Sequence, residues 1–121
     1  MLPVAHRLRD SADFRAVLRD RGTRRAAGPL LVVYVRQARP DADTPVTPVR
    51  VGFVVSKAVG NAVVRHRTQR RLRHLVAARL DRLPAGARVV IRANPAAAEA
   101  TSADLAAALD RAFDRTLAGG R

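Results

Sequence analysis

The chain has 121 residues and a mass of 13.1 kDa, with 23 Lys and Arg against 10 Asp and Glu, giving a formal charge of +13. Its length suits one domain, and a 48% hydrophobic content supports a core and excludes a basic disordered tail. The lack of cysteine removes disulfides, thiolate metal sites and cysteine nucleophiles, and no apolar run approaches the roughly 20 residues of a membrane span.

In chain order, Ser11 is a candidate helix cap with Asp10 and Asp13 at the positive end, and Phe14, Val17 and Leu18 follow at helical spacing as far as Arg21-Gly22. These aspartates also interrupt the basic N-terminal run, unlike an organelle presequence, so a cytoplasmic protein is expected. Residues 30–36 (LLVVYVR) read as a strand, and 38–48, with three prolines and two aspartates, as a loop. Residues 49–56 (VRVGFVVS) read as a second strand. A turn around Gly60 follows, and Asn61 caps a long helix expected over 62–83, stopped by Pro84-Ala85-Gly86. Residues 88–93 form a third strand closed by Asn94-Pro95. Thr101-x-x-Asp104 opens a last helix with Leu105, Leu109, Ala112, Phe113 and Leu117 on one face, up to Gly119-Gly120. The order α-β-β-α-β-α predicts one domain over residues 1–121, an α/β (α+β) sandwich with helices against one small sheet.

The charge is unevenly spread: residues 58–83 carry seven Arg and one Asp, while 84–121 carry five Arg and four acids. A helical wheel gathers Val64, Thr68, Leu72, Leu75, Val76 and Leu83 on a core arc. It sets His66, Arg67, Arg70, Arg71, Arg73 and His74 opposite, with Gln69 at the border. Arg65 lies over the apolar arc in the first turn, and Arg79 snorkels near the end. A plainly solvated helix mixes signs through i,i+4 pairs; here Asp81 is the only acid, so the face repels itself unless anions neutralise it. The planar arginine fork fits phosphate oxygens, so the expected partner is a nucleic acid. Aromatics are few, which excludes a multi-base stacking platform. Phe53 and Phe113 are expected in the core, and Tyr34 is either core or a base-stacking surface.

At this helix the motif Lys57-x-x-Gly60-x-Ala62-Val63-x-Arg65, continued by Arg67, Arg70 and Arg73, closely resembles the signature of the bacterial ribonuclease P protein subunit. Arg7-Leu8-x-x-Ser11-x-Asp13-Phe14, Val32-Val33-Tyr34, the run from Arg50 to Lys57 and Val89-Val90-Ile91 fit the same family in order and spacing. His66 stands where that family usually has Asn, and Gln69 where Lys or Arg is common. The resemblance implies a left-handed βαβ crossover and the role of protein partner in a ribozyme endoribonuclease. In that family the RNA subunit, using Mg²⁺, removes the 5′ leader of precursor tRNA. Carried over by position, Lys57, Asn61, Arg65, His66, Arg67, Arg70, Arg71 and Arg73 would face the catalytic RNA. Phe14, Leu18, Val32 and Tyr34 would line a cleft for the single-stranded leader, with Leu18 replacing an aromatic often seen there. The resemblance assigns no role to Arg92.

Independent catalysis would need clustered carboxylates or paired histidines. The ten acids are scattered, Asp41 and Asp43 being the only close pair in a surface loop, and His66 and His74 lie two turns apart with His6 remote. No catalytic residue and no metal ligand are therefore assigned to the protein, and no obligatory protein partner is evident. A stand-alone RNA-binding module of ribosomal or chaperone type is the alternative. A DNA-binding role ranks below both, because no helix-turn-helix partner seats the basic helix in a groove.

Overall fold

The computed structural model describes residues 2, 4–8, 10–38 and 47–118. Most of the proline-rich loop, with Asp41 and Asp43, and the terminal Gly119-Gly120 stop lie outside them.

The first helix, α1 (Ser11–Arg19), is capped by Asp10 rather than by Ser11. Asp10 has extended backbone and its carboxylate accepts the Ala12 N–H at 3.4 Å, so Ser11 is the first helical residue. Asp20 closes the helix and takes the Gly22 N–H at 2.7 Å. A strand absent from the sequence reading follows: β1 (Arg24–Ala27), whose RRAA carries neither a β-branched nor an aromatic residue. It exists because β2 (Leu31–Arg36), strongly β-forming, presents a ladder to pair with, joined by a tight turn in which Gly28 N–H donates to Leu31 O at 2.9 Å. β3 (Arg50–Val54) and β4 (Arg88–Ala93) match the other two expected strands.

Between them runs α2 (Ala62–Ala77), capped as expected by Asn61, whose side chain accepts the Val64 N–H at 3.0 Å. The helix ends six residues before the expected Leu83. Arg79 leaves helical geometry and a 3₁₀ turn (Leu80–Arg82) follows. The stop at Pro84-Ala85-Gly86 holds, with Gly86 at φ +80°, a conformation that favours glycine. A 3₁₀ turn at Pro95–Ala98 leads to α3 (Ser102–Ala118), where Thr101 Oγ1 accepts the Asp104 N–H at 3.0 Å.

The four strands lie in the order β1-β2-β4-β3. β1/β2 and β2/β4 are antiparallel; β3/β4 is parallel, joined through α2. Alternation divides the sheet into two faces. Leu31, Val33, Val35, Val89, Ile91 and Val51 face α2 and α3, and with Leu72, Val76, Leu105, Leu109 and Phe113 they form the main core. Thr68 is buried on the same side of α2, its hydroxyl satisfied by Val64 O at 2.9 Å. Phe53 packs half-buried against this core. On the other face, α1 lays Val17 over Val90, with Leu8, Phe14, Tyr34 and Val54 around them. Gly52 makes this approach possible: a Cβ there would run into the Phe14 ring and lie 3.0 Å from Leu8 Cβ.

Candidate nucleic-acid interface

Of the seven arginines in 58–83, two pair with acids among the described residues and five do not. Arg79 holds Asp110 through two bonds, at 2.7 and 3.2 Å; Arg82 reaches Asp114 at 2.6 Å and Asp110 at 3.5 Å, with its guanidinium 5.8 Å from the Phe113 ring centre. The hydrogen bond from Arg79 holds the Asp110 carboxyl below its ordinary range, and the same bond raises Arg79. Arg79 is thus an ion-pair residue linking α2 to α3, which is how it tolerates the apolar side of the helix.

Upstream, no acid among the described residues lies within 4 Å of Arg65, Arg67, Arg70, Arg71 or Arg73. His66, Arg67, Arg70 and His74 are exposed, and Gln69 and Arg73 half-buried. His66, Gln69, Arg70, Arg73 and His74 line a surface hollow of about 390 Å³. Arg71 stands apart: it is half-buried and donates to Ala100 O at 3.1 Å, tying α2 to the start of α3. Arg65 is also half-buried, and its Nε is shut off from solvent without a protein acceptor. Lys57 and Asn61 are exposed at the helix start, where the Asn61 side-chain oxygen is already used as the cap.

The second group of expected site residues meets beside α1. Phe14 and Tyr34 are half-buried against the Leu8–Val17–Val90 cluster, Val32 is buried two residues along β2 on the same face, and Leu18 is 50% exposed on α1. Cross-strand register supplies neighbours that sequence reasoning missed. Arg25 faces Tyr34 and holds its guanidinium 5.9 Å from the ring centre. Arg92, exposed, stands between Val32 and Val54. The signal for Arg92 is its period-two alternation with Val90. Arg25 had no such signal, because β1 does not read as a strand.

A third row, Arg36–Arg88–Arg50, lies side by side across three strands. Like charges directly opposite are costly, and the fold relieves them internally. Asp20 pairs with Arg36 at 2.9 Å, and Arg88 donates to the carbonyls of Pro48, Gly86 and Ala87 at 3.1–3.3 Å. Burial and then repulsion from Arg50 lower the Arg88 pKa, opposed by Asp13. This row is committed to structure; Arg25 and Arg92 are not paired with any acid among the described residues.

A mixed sheet between helices, an acid-free basic helix face and a second cationic, partly aromatic sheet face define a small α+β nucleic-acid-binding protein. Comparison with known proteins makes this specific. The family model for ribonuclease P matches residues 2–117. The ribonuclease P protein component of Streptomyces bikiniensis is 54% identical over 99% of this chain and 98% of its own length; that of Acidothermus cellulolyticus is 55% identical over 95% and 91%. In fold, the chain is similar to the RNase P proteins of Staphylococcus aureus (TM-score 0.74, 23% identity, 91% of this chain and 94% of that one) and Thermotoga maritima (0.73, 21%, 90% and 96%). The chain belongs to the ribonuclease P protein family, whose subunit role lies in tRNA 5′ processing.

Proposed function

We propose that this chain docks the catalytic RNA of ribonuclease P through Arg65, His66, Arg67, Arg70 and Arg73, with Lys57 and Asn61 at the margin of the contact, and that the sheet face beside α1 holds the 5′ leader of precursor tRNA in the cytoplasm. The observation that carries this is the division of charge along residues 62–82: acids from α3 neutralise Arg79 and Arg82, just past the end of α2, and leave the arginines of α2 itself for an external polyanion. Arg71 supports that face from behind through Ala100 rather than presenting its whole fork to RNA. On the sheet, Val32 and Tyr34 give an apolar, partly aromatic floor. Arg25 and Arg92 flank it with donors for phosphate oxygens or base edges.

Among the described residues no group of three or more His, Asp or Glu could hold a metal ion. In this reading the RNA holds the Mg²⁺ of the reaction, and the protein's contribution is to bind, orient and screen phosphate charge. Reconstitution tests this. Added to its cognate ribonuclease P RNA at low Mg²⁺, the chain restores 5′ cleavage of precursor tRNA. RNA binding without stimulation would instead make it a stand-alone RNA-binding module.

A further inference from the structure

The two edges of the sheet are treated differently. Outside β3 the edge is closed, because Arg7 bridges to Val51 and Leu8 N–H donates to Val51 O at 2.9 Å. Outside β1 no strand pairs among the described residues. The Gly28–Leu31 bond sets the phase of the β1/β2 ladder, so Ala26 and Arg24 bond inward while the N–H and C=O of Arg25 and Ala27 point out of the sheet. Both residues are exposed.

Beside that open edge, between the β1–β2 turn and α3, lies a hollow of about 190 Å³ with Ala26, Leu31, Ala108 and Ala112 in its walls and Arg111 and Arg115 on its rim. The turn is pinned in place: Asn94 Nδ2 donates to Gly28 O at 2.9 Å and to Pro29 O at 3.3 Å. Charge on α3 is segregated around its axis. Asp110 and Asp114 are drawn to Arg79 and Arg82, while Arg111 and Arg115, one turn apart, have no carboxylate within 4 Å among the described residues. Arg24, exposed, shares the α3 side of β1 with Ala26.

From this juxtaposition we infer that the β1 edge is a docking site for an extended acidic peptide segment, added as a fifth strand. Its main chain bonds Arg25 and Ala27, an apolar side chain enters the hollow, and carboxylates two residues to either side, on the same face, meet Arg24, Arg111 and Arg115. Charge decides the occupant. A second copy would bring another +13 and two more edge arginines against this one, the usual protection of an edge strand against self-pairing. Phosphate oxygens only accept, so a nucleic-acid backbone could meet the two outward carbonyls with ribose hydroxyls at most and would leave the hollow unfilled. The site lies across the sheet from the Val32–Tyr34 face, and the inference stands apart from the RNA role.

The test uses the full ¹⁵N-labelled chain and, as probe, the acetylated and amidated heptapeptide Ser-Asp-Ser-Val-Ser-Asp-Ser, whose valine and two aspartates share one face of a strand. Binding slows amide exchange at Arg25 and Ala27 and shifts resonances of Ala26, Leu31, Ala108 and Ala112. The peptide with glycine for valine loses these effects. Arg111→Gln with Arg115→Gln weakens binding about tenfold, the scale of one lost charge-assisted bond. Ala27→Pro removes an outward N–H that the β1/β2 ladder does not use, and abolishes protection at the edge; should it lower the melting temperature, the arginine pair decides alone. Perturbation confined to His66–His74, unprotected Arg25 and Ala27, or equal protection by an oligouridylate overturns the proposal.

Discussion

Tyr34 is the residue on which core packing and the proposed leader contact meet. The residue packs half-buried on the α1 cluster, and the Arg25 guanidinium stands 5.9 Å from its ring centre. A leader base set against this pair would stack on a prepositioned surface, and one such base contributes about 1–3 kcal/mol. Tyr34→Ala is accordingly expected to reduce discrimination between precursor and mature tRNA by that amount while leaving assembly with the catalytic RNA intact; paired binding titrations of the two tRNAs measure it. An unchanged ratio would make Tyr34 a core residue only. From sequence, only the family resemblance set Val32 and Tyr34 in one cleft; the structure puts them on one face of β2. Their arginine neighbours were not legible, since register is a long-range property, and a run of RRAA becomes a strand only because β2 offers it partners. The α1 cap shows the same limit locally: Asp10 and Ser11 are both good caps, and the backbone's extended turn at Asp10 selects the carboxylate.

At the scale of elements, α3 divides the basic segment in two: it pairs Arg79 and Arg82 beyond the end of α2 and leaves the arginines of α2 without an acid among the described residues. The wheel assigned Thr68, Leu72 and Val76 to the core correctly, because burial follows spacing. It could not show that the helix would end at Ala77, since Arg79 takes its geometry from an acid 31 residues away. Asp110 is nearly half exposed, so its bond to Arg79 is worth about 0.5–1 kcal/mol, near the upper range for a surface pair. The sign of its pH dependence follows from the depressed carboxyl. The stabilisation is complete above the unfolded pKa of about 3.9 and is lost as pH falls through the lower folded value. Asp110→Asn should therefore lower the urea midpoint at pH 7 and converge on the unmodified chain in strong acid. A gap that persisted there would mean packing, not the ion pair, is what Asn disturbs.

For the whole molecule, the formal charge of +13 resolves into groups with different fates. Arg36, Arg79, Arg82 and Arg88 are satisfied internally, by Asp20, Asp110, Asp114 and loop carbonyls, whereas Arg67 and Arg70 of α2 are exposed with no acid among the described residues beside them. The folded state thus concentrates repulsion in one place, and any anion bound there stabilises it by mass action, about 2.7 kcal/mol at a hundredfold excess over its Kd. Sulfate should raise the melting temperature, and Arg67→Ala with Arg70→Ala should reduce that gain. The same division predicts how RNA affinity responds to salt. Each phosphate neutralised contributes about 0.7–0.9 to the slope of log K against log salt. Arg67→Ala is expected to lower the slope for the catalytic RNA by that amount, because it releases one set of counterions fewer. Arg82→Ala should leave the slope unchanged, since its charge is already spent on Asp114 and Asp110. Equal slopes for the two variants would mean that RNA senses net charge alone, and the acid-free face of α2 would then hold no special place in docking.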